Sequence, residues 1–178
     1  MPVHPDLSSC QTLKLRRQGN VDIVEINRPE CTGKVAFLGG QLLSYQSAQQ
    51  QPLLWQNPDL DLSGNSALRQ GAPICWPWFG NLECNPSPVK NEFQQANPPA
   101  HGLVRDQTWE LIDATESAQS TELVLSKALE HLELKIDLIY TFAERLSIRL
   151  ISTNLSDRTR HISPALHSYF AISHIDQV

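Results

Sequence analysis

From Leu132 to Phe142 every second residue is apolar. Leu132, Leu134, Ile136, Leu138, Tyr140 and Phe142 are separated by polar residues such as Glu133, Lys135, Asp137 and Thr141. A period of two puts these six side chains on one face of an extended chain, so the stretch is a strand with one buried side. After Ala143-Glu144-Arg145, Leu146, Ile148 and Leu150 repeat the alternation, and Asn154 to Asp157 turns again. Two alternating runs joined by a short turn predict an antiparallel hairpin. Shorter β-rich runs lie at Val21 to Ile26, Gly33 to Leu38, Leu42 to Tyr45, Leu53 to Trp55 and Trp109 to Ile112. No segment carries a convincing amphipathic helix. Ala114 to Leu129 holds fragments of the pattern but is rich in Ser and Thr, and residues 1–20 read as a polar lead-in. The predicted fold is all-β, a large antiparallel sandwich in one domain over residues 1–178.

Composition narrows the function classes. The 178 residues carry a net charge of −5, with no basic run longer than Lys14–Arg17. A nucleic-acid surface needs a basic stripe that is absent here. No apolar run reaches the ~18–20 residues of a membrane span. The start, Met-Pro-Val-His-Pro-Asp, lacks the basic and apolar regions of a secretory signal. Cys10, Cys31, Cys75 and Cys84 form no C-x-x-C pair, and no Cys/His spacing suits zinc. Free thiols in a cytoplasmic protein are the expectation, with a Cys75–Cys84 disulfide left open.

Arg69-Gln-Gly-Ala-Pro-Ile-Cys-Trp-Pro-Trp-Phe-Gly80 concentrates aromatic residues in a chain otherwise poor in them. Pro73 and Pro77 exclude a helix interior and a smooth central strand. The segment reads as a rigid, kinked loop whose indoles form a wall and whose Arg69 points into a pocket, or else as a buried Trp/Pro corner with a surface Arg. Flat apolar surface beside a guanidinium suits sugars and anions. The polar excursion from Asn81 to Pro99 is long enough to be functional or mobile. It ends at His101, beside Gly102, with Arg105 shortly after. His167 lies in an apolar run, on the same face as Tyr169 and opposite Leu166 and Phe170. Each His alone is more readily structural than catalytic. Arg69 and Arg105 together could clamp one anion.

Three segments carry a resemblance. Leu68-Arg-Gln-Gly-Ala-Pro-Ile-Cys-Trp-Pro-Trp-Phe-Gly80, Pro99-Ala-His-Gly-Leu-Val-Arg105 and Ala165-Leu-His-Ser-Tyr-Phe170 resemble the signature segments of the hexose-6-phosphate mutarotases (glucose-6-phosphate 1-epimerases) of the aldose 1-epimerase superfamily. Gly39-Gly-Gln-Leu-Leu-Ser44 and Leu53-Leu-Trp55 fit the same order. The resemblance implies a galactose mutarotase-like β-supersandwich that exchanges the α and β anomers of a hexose 6-phosphate without a cofactor. It implies that His167 protonates the ring oxygen and that His101 polarises the sugar near C1. Arg69 and Arg105 would favour a phosphorylated sugar, with Trp76, Trp78 and Phe79 in the pocket wall. A non-catalytic sugar-phosphate-binding module and an epimerase of free sugars are the competing readings.

The resemblance also implies a Glu base well beyond Val178, and no Glu of this chain occupies its position. Where the family often has Gly-Asp-Ile, this chain has Ser173-His174-Ile175, with Asp176 next. The expectation is therefore a sandwich incomplete at its C-terminus, the N-terminal two thirds of a mutarotase, with little activity of its own. Unpaired strand edges would offer a route to self-association.

Overall fold

Four antiparallel strands in simple meander order build the first sheet: β1 (Leu13–Gln18), β2 (Val21–Asn27), β3 (Cys31–Ala36) and β4 (Gln41–Ser47). The computed structural model describes Leu7, residues 10–174 and Asp176. Of the expected lead-in over residues 1–20, residues 1–6, 8 and 9 lie outside the described residues, as does the chain end after residue 174 apart from Asp176. β1 was not anticipated. Only Leu13 of its six residues is buried, so its sequence shows no alternation. β2 and β3 are buried on both faces. Val24, Ile26, Val35 and Phe37 enter the main core, while Val21, Ile23, Ala36 and Leu38 meet Leu68, with Leu60 and Leu62 against them. The loop through residues 57–68 thus covers the outer face of this sheet.

The second sheet is another antiparallel meander: β6 (Glu110–Glu116), β7 (Thr121–Leu129), β8 (Leu134–Phe142) and β9 (Leu146–Asn154), placed after the two-residue β5 (Ile74–Cys75). β8 alternates buried and half-buried residues throughout, as its sequence predicts. Leu132 belongs instead to a 3-10 turn over Glu130–Leu132, and Glu133 follows it at φ 51°. The helix-like fragments in Ala114–Leu129 become the β6–β7 hairpin. A register shift between Leu111 and Asp113 interrupts β6 just before this stretch.

The two sheets share one core. Leu13, Val24, Ile26, Val35, Phe37 and Tyr45 from the first pack with Leu123, Leu125, Leu138, Tyr140 and Phe142 from the second. Tyr140 spans the layers, donating its buried hydroxyl to the Gly40 carbonyl at 2.7 Å. Arg28 spans them at the sheet end, where its buried guanidinium donates to Thr121 and to the Ser117 and Ala118 carbonyls.

Between the sheets runs the Trp-rich segment. β5 pairs with β10 (Ala165–Leu166), and the pairing continues irregularly: His167 N–H reaches the Pro73 carbonyl at 2.9 Å and Tyr169 N–H the Gly71 carbonyl at 2.8 Å. Leu53–Trp55 is not a separate strand; Leu54 bridges Phe170 on the other side of this run. The excursion after Gly80 carries a 3-10 turn (Leu82–Cys84) and one short helix, α1 (Ser87–Glu92), anchored by buried Leu82, Val89 and Phe93. Among the described residues no helix is long and apolar enough to cross a membrane. All four cysteines are free, so no Cys75–Cys84 disulfide forms.

Candidate active site

Three separate chain runs deliver Arg69, His101, Arg105 and His167 to one cavity of about 290 Å³. That lies near the lower end of the ~300–1,000 Å³ of small-molecule sites. Leu68, Pro73, Cys75, Ala100 and Tyr169 complete the lining. No Asp or Glu is among these residues.

Arg69 is presented by a short stretch held from below. Buried Gln41, at the start of β4, donates to the Leu68 and Gln70 carbonyls. Gln70 donates in turn to the Leu43 carbonyl and accepts from Asn57 N–H at 2.8 Å. Arg105 follows buried Val104, whose carbonyl accepts from the Trp109 indole N–H. Among the described residues neither guanidinium has a carboxylate partner within ion-pair distance. The cavity therefore presents two uncompensated cations, the charge pattern of an anion site.

His101 sits at φ 69° and is held in place at two points: its N–H donates to the Gly80 carbonyl at 2.8 Å, and Gly80 N–H donates back to its Nδ1 at 3.2 Å. A donor on Nδ1 leaves the neutral ring's proton on Nε2. Burial holds the His101 pKa below its usual value, and the Arg105 and His167 charges push the same way. His101 is thus a neutral hydrogen-bond donor at ordinary pH. His167 differs. Among the described residues its ring nitrogens have no hydrogen-bond partner, and its ring lies 4.9 Å from that of Tyr169. Cys75 is no nucleophile, because burial pushes its thiol up to about 11.

The aromatic wall is not the expected one. Trp76 and Trp78 are fully buried and line no part of the cavity. Trp76 belongs to the core because its indole N–H finds Ser152 Oγ on β9 at 2.9 Å. Trp78 packs against Phe93 of the excursion at 5.3 Å. Of the three predicted wall residues only Phe79 is at the site, 45% exposed and in tilted contact with both imidazoles, ring centroids 5.1 and 5.8 Å away. Tyr169, which the sequence placed on the His167 face, supplies the rest of the wall. Gln41 and Gln70 carried no signal beyond lying inside the quoted motifs. His174 and Asp176 contact each other at 3.3 Å and do not line the cavity.

Comparison with known proteins places this two-sheet sandwich in a family. The chain belongs to the aldose 1-epimerase family, whose model matches residues 22–178. It is similar to an Escherichia coli protein named "Putative glucose-6-phosphate 1-epimerase", 28% identical over 182 residues, covering 100% of this chain and 57% of the relative. A Haemophilus influenzae protein of the same name is 29% identical over 130 residues, covering 72% and 41%. Among solved structures, a "putative mutarotase" from Salmonella typhimurium superposes with a TM-score of 0.74 at 24% identity, over 96% of this chain and 54% of that one. The HI1317 structure gives 0.71 at 26%, over 94% and 56%. The fold is thus galactose mutarotase-like, and the matches span between 41% and 57% of these relatives' length.

Proposed function

We propose that the cavity binds a hexose 6-phosphate and that its histidines serve anomer exchange. The observation that carries this reading is the convergence of two unpaired arginines and two differently bonded imidazoles on one cavity free of acidic residues. The relatives named as glucose-6-phosphate 1-epimerases supply the substrate class. Arg69 and Arg105 take the phosphate. His101 donates from Nε2 to the sugar near C1. His167 gives a proton to the ring oxygen as the C1–O5 bond breaks, while a base removes the proton of the anomeric hydroxyl. The open-chain aldehyde turns about C1–C2, and reclosure returns both protons on the other face.

Among the described residues, none lining the cavity can serve as the carboxylate base. On this reading the chain binds the sugar phosphate and exchanges its anomers slowly. The same gap favours a second reading, a sugar-phosphate-binding module without turnover. Four free cysteines suit a reducing compartment, so the proposed location is the cytoplasm. Calorimetric titration with glucose 6-phosphate, glucose and inorganic phosphate tests the binding, and two-dimensional exchange NMR of the anomeric protons tests turnover. The expected order is tightest for glucose 6-phosphate. Equal or undetectable binding of all three overturns the proposal, and tight binding with no added exchange selects the second reading.

A further inference from the structure

One peptide unit, Phe79–Gly80, is gripped at both ends. Its carbonyl accepts from Asn85 Nδ2 at 2.9 Å, and its N–H donates to His101 Nδ1 at 3.2 Å. The Asn85 amide also donates to the Asn81 carbonyl at 2.9 Å, while its Oδ1 accepts from the Ser163 hydroxyl. Ser163 is itself fixed, its N–H on the Pro77 carbonyl at 2.8 Å, four residues ahead of His167 on the same run. Asn85 thus sits between the 3-10 turn Leu82–Cys84 and α1, touching neither the cavity nor a ring of the site.

A peptide group is a rigid plane, so fixing its carbonyl fixes its N–H. The Asn85 amide uses its donors on two backbone carbonyls and its acceptor on a hydroxyl, an arrangement that admits only one flip of the amide. We propose that Asn85 is a positioning residue for His101. By locking the Phe79–Gly80 plane it keeps a donor on Nδ1 and so selects the tautomer with its proton on Nε2, the nitrogen left for substrate. Ser163 braces the amide and ties this setting to the run that carries His167. The use made of that tautomer rests on the sugar-phosphate reading; the tautomer itself does not.

The test is long-range proton–nitrogen NMR of the chain with labelled histidine at about pH 8, where imidazole is neutral. Wild type should show His101 as the Nε2–H form. Asn85→Ala removes the brace. Asn85→Asp, nearly the same size, keeps the acceptor but cannot donate to the Phe79 carbonyl when ionised. In both, the ratio of Nε2–H to Nδ1–H forms should fall by about 5- to 10-fold, the effect of one hydrogen bond. Ser163→Ala should move it the same way by less. A purely structural Asn85 would lower the melting temperature and leave the ratio alone. An unchanged ratio in folded Asn85→Asp, or a wild-type His101 in the Nδ1–H form, overturns the inference. Glucose 6-phosphate titrated into the same samples separates the two ideas, since a shifted ratio without sugar-phosphate binding supports the positioning role and overturns only the functional reading.

Discussion

The imidazoles of His101 and His167 meet edge to face, with centroids 5.4 Å apart and planes at 88°. They arrive from opposite ends of the second half of the chain, and Phe79 covers both. Their surroundings make them unequal. His101 has spent Nδ1 on Gly80, whereas among the described residues nothing bonds either nitrogen of His167. Two adjacent imidazoles with different bonding can divide a donor role from a proton-transfer role, since an extra charge on one disfavours charging the other.

The folded state holds the His101 pKa below 6.5, through burial first and then Arg105 and His167. Above 6.5 this group contributes nothing to the pH dependence of folding. As pH falls below 6.5 the unfolded chain takes up the proton first, so folding stability declines until the folded midpoint is reached. NMR titration should place the His101 midpoint below 6.5, and Arg105→Ala should raise it. A midpoint at or above 6.5 contradicts the electrostatic picture.

Arg105→Ala and Arg69→Ala test the anion site. Each should weaken glucose 6-phosphate binding by about 1.5–3 kcal/mol, the value of a hydrogen bond to a charged group. Arg69, the more exposed of the two, should fall at the lower end. Binding of free glucose should not change. Equal losses for both sugars would mean that the arginines shape the pocket and do not read the phosphate.

Much of this site was legible because its parts sit in short runs with their own chemistry. The His167/Tyr169 face follows from strand alternation alone, and β8 from its period of two. What escaped was set by long-range partners. Trp76 looked like a pocket wall because nothing local announces Ser152, 76 residues away, as the partner of its indole. β1 escaped because an edge strand with one buried side chain has no pattern to read. Gln41 and Asn85 act through backbone carbonyls, whose positions no side-chain pattern records.

Tyr140→Phe tests the link between sheets. The hydroxyl donates to the Gly40 carbonyl with no solvent access, and burial raises its pKa, so it stays protonated as a donor. Removing it leaves that carbonyl unpaired at a cost of about 1–3 kcal/mol. Denaturant titration should show a lower midpoint with an unchanged slope. A changed slope would mean that the two sheets no longer unfold together.

Gly80 and Gly102 flank the His101 loop and share a left-handed backbone, at φ 66° and 79°, yet alanine should affect them differently. At Gly80 a Cβ meets nothing within 4 Å, so Gly80→Ala costs only the left-handed strain of about 1–2 kcal/mol and keeps the N–H that holds His101. At Gly102 a Cβ would lie 2.2 Å from the Trp76 carbonyl oxygen and 2.5 Å from its carbon. That carbonyl accepts from Leu103 N–H at 2.8 Å and docks the loop on the Trp-rich segment. Backbone atoms on both sides leave no flexible group to yield. Gly102→Ala must therefore part the two segments, adding steric cost to the same strain and carrying His101 away from His167. Thermal melts should rank wild type above Gly80→Ala above Gly102→Ala, and only the last should lose sugar-phosphate binding. Equal melting of the two variants would show that strain alone governs this loop.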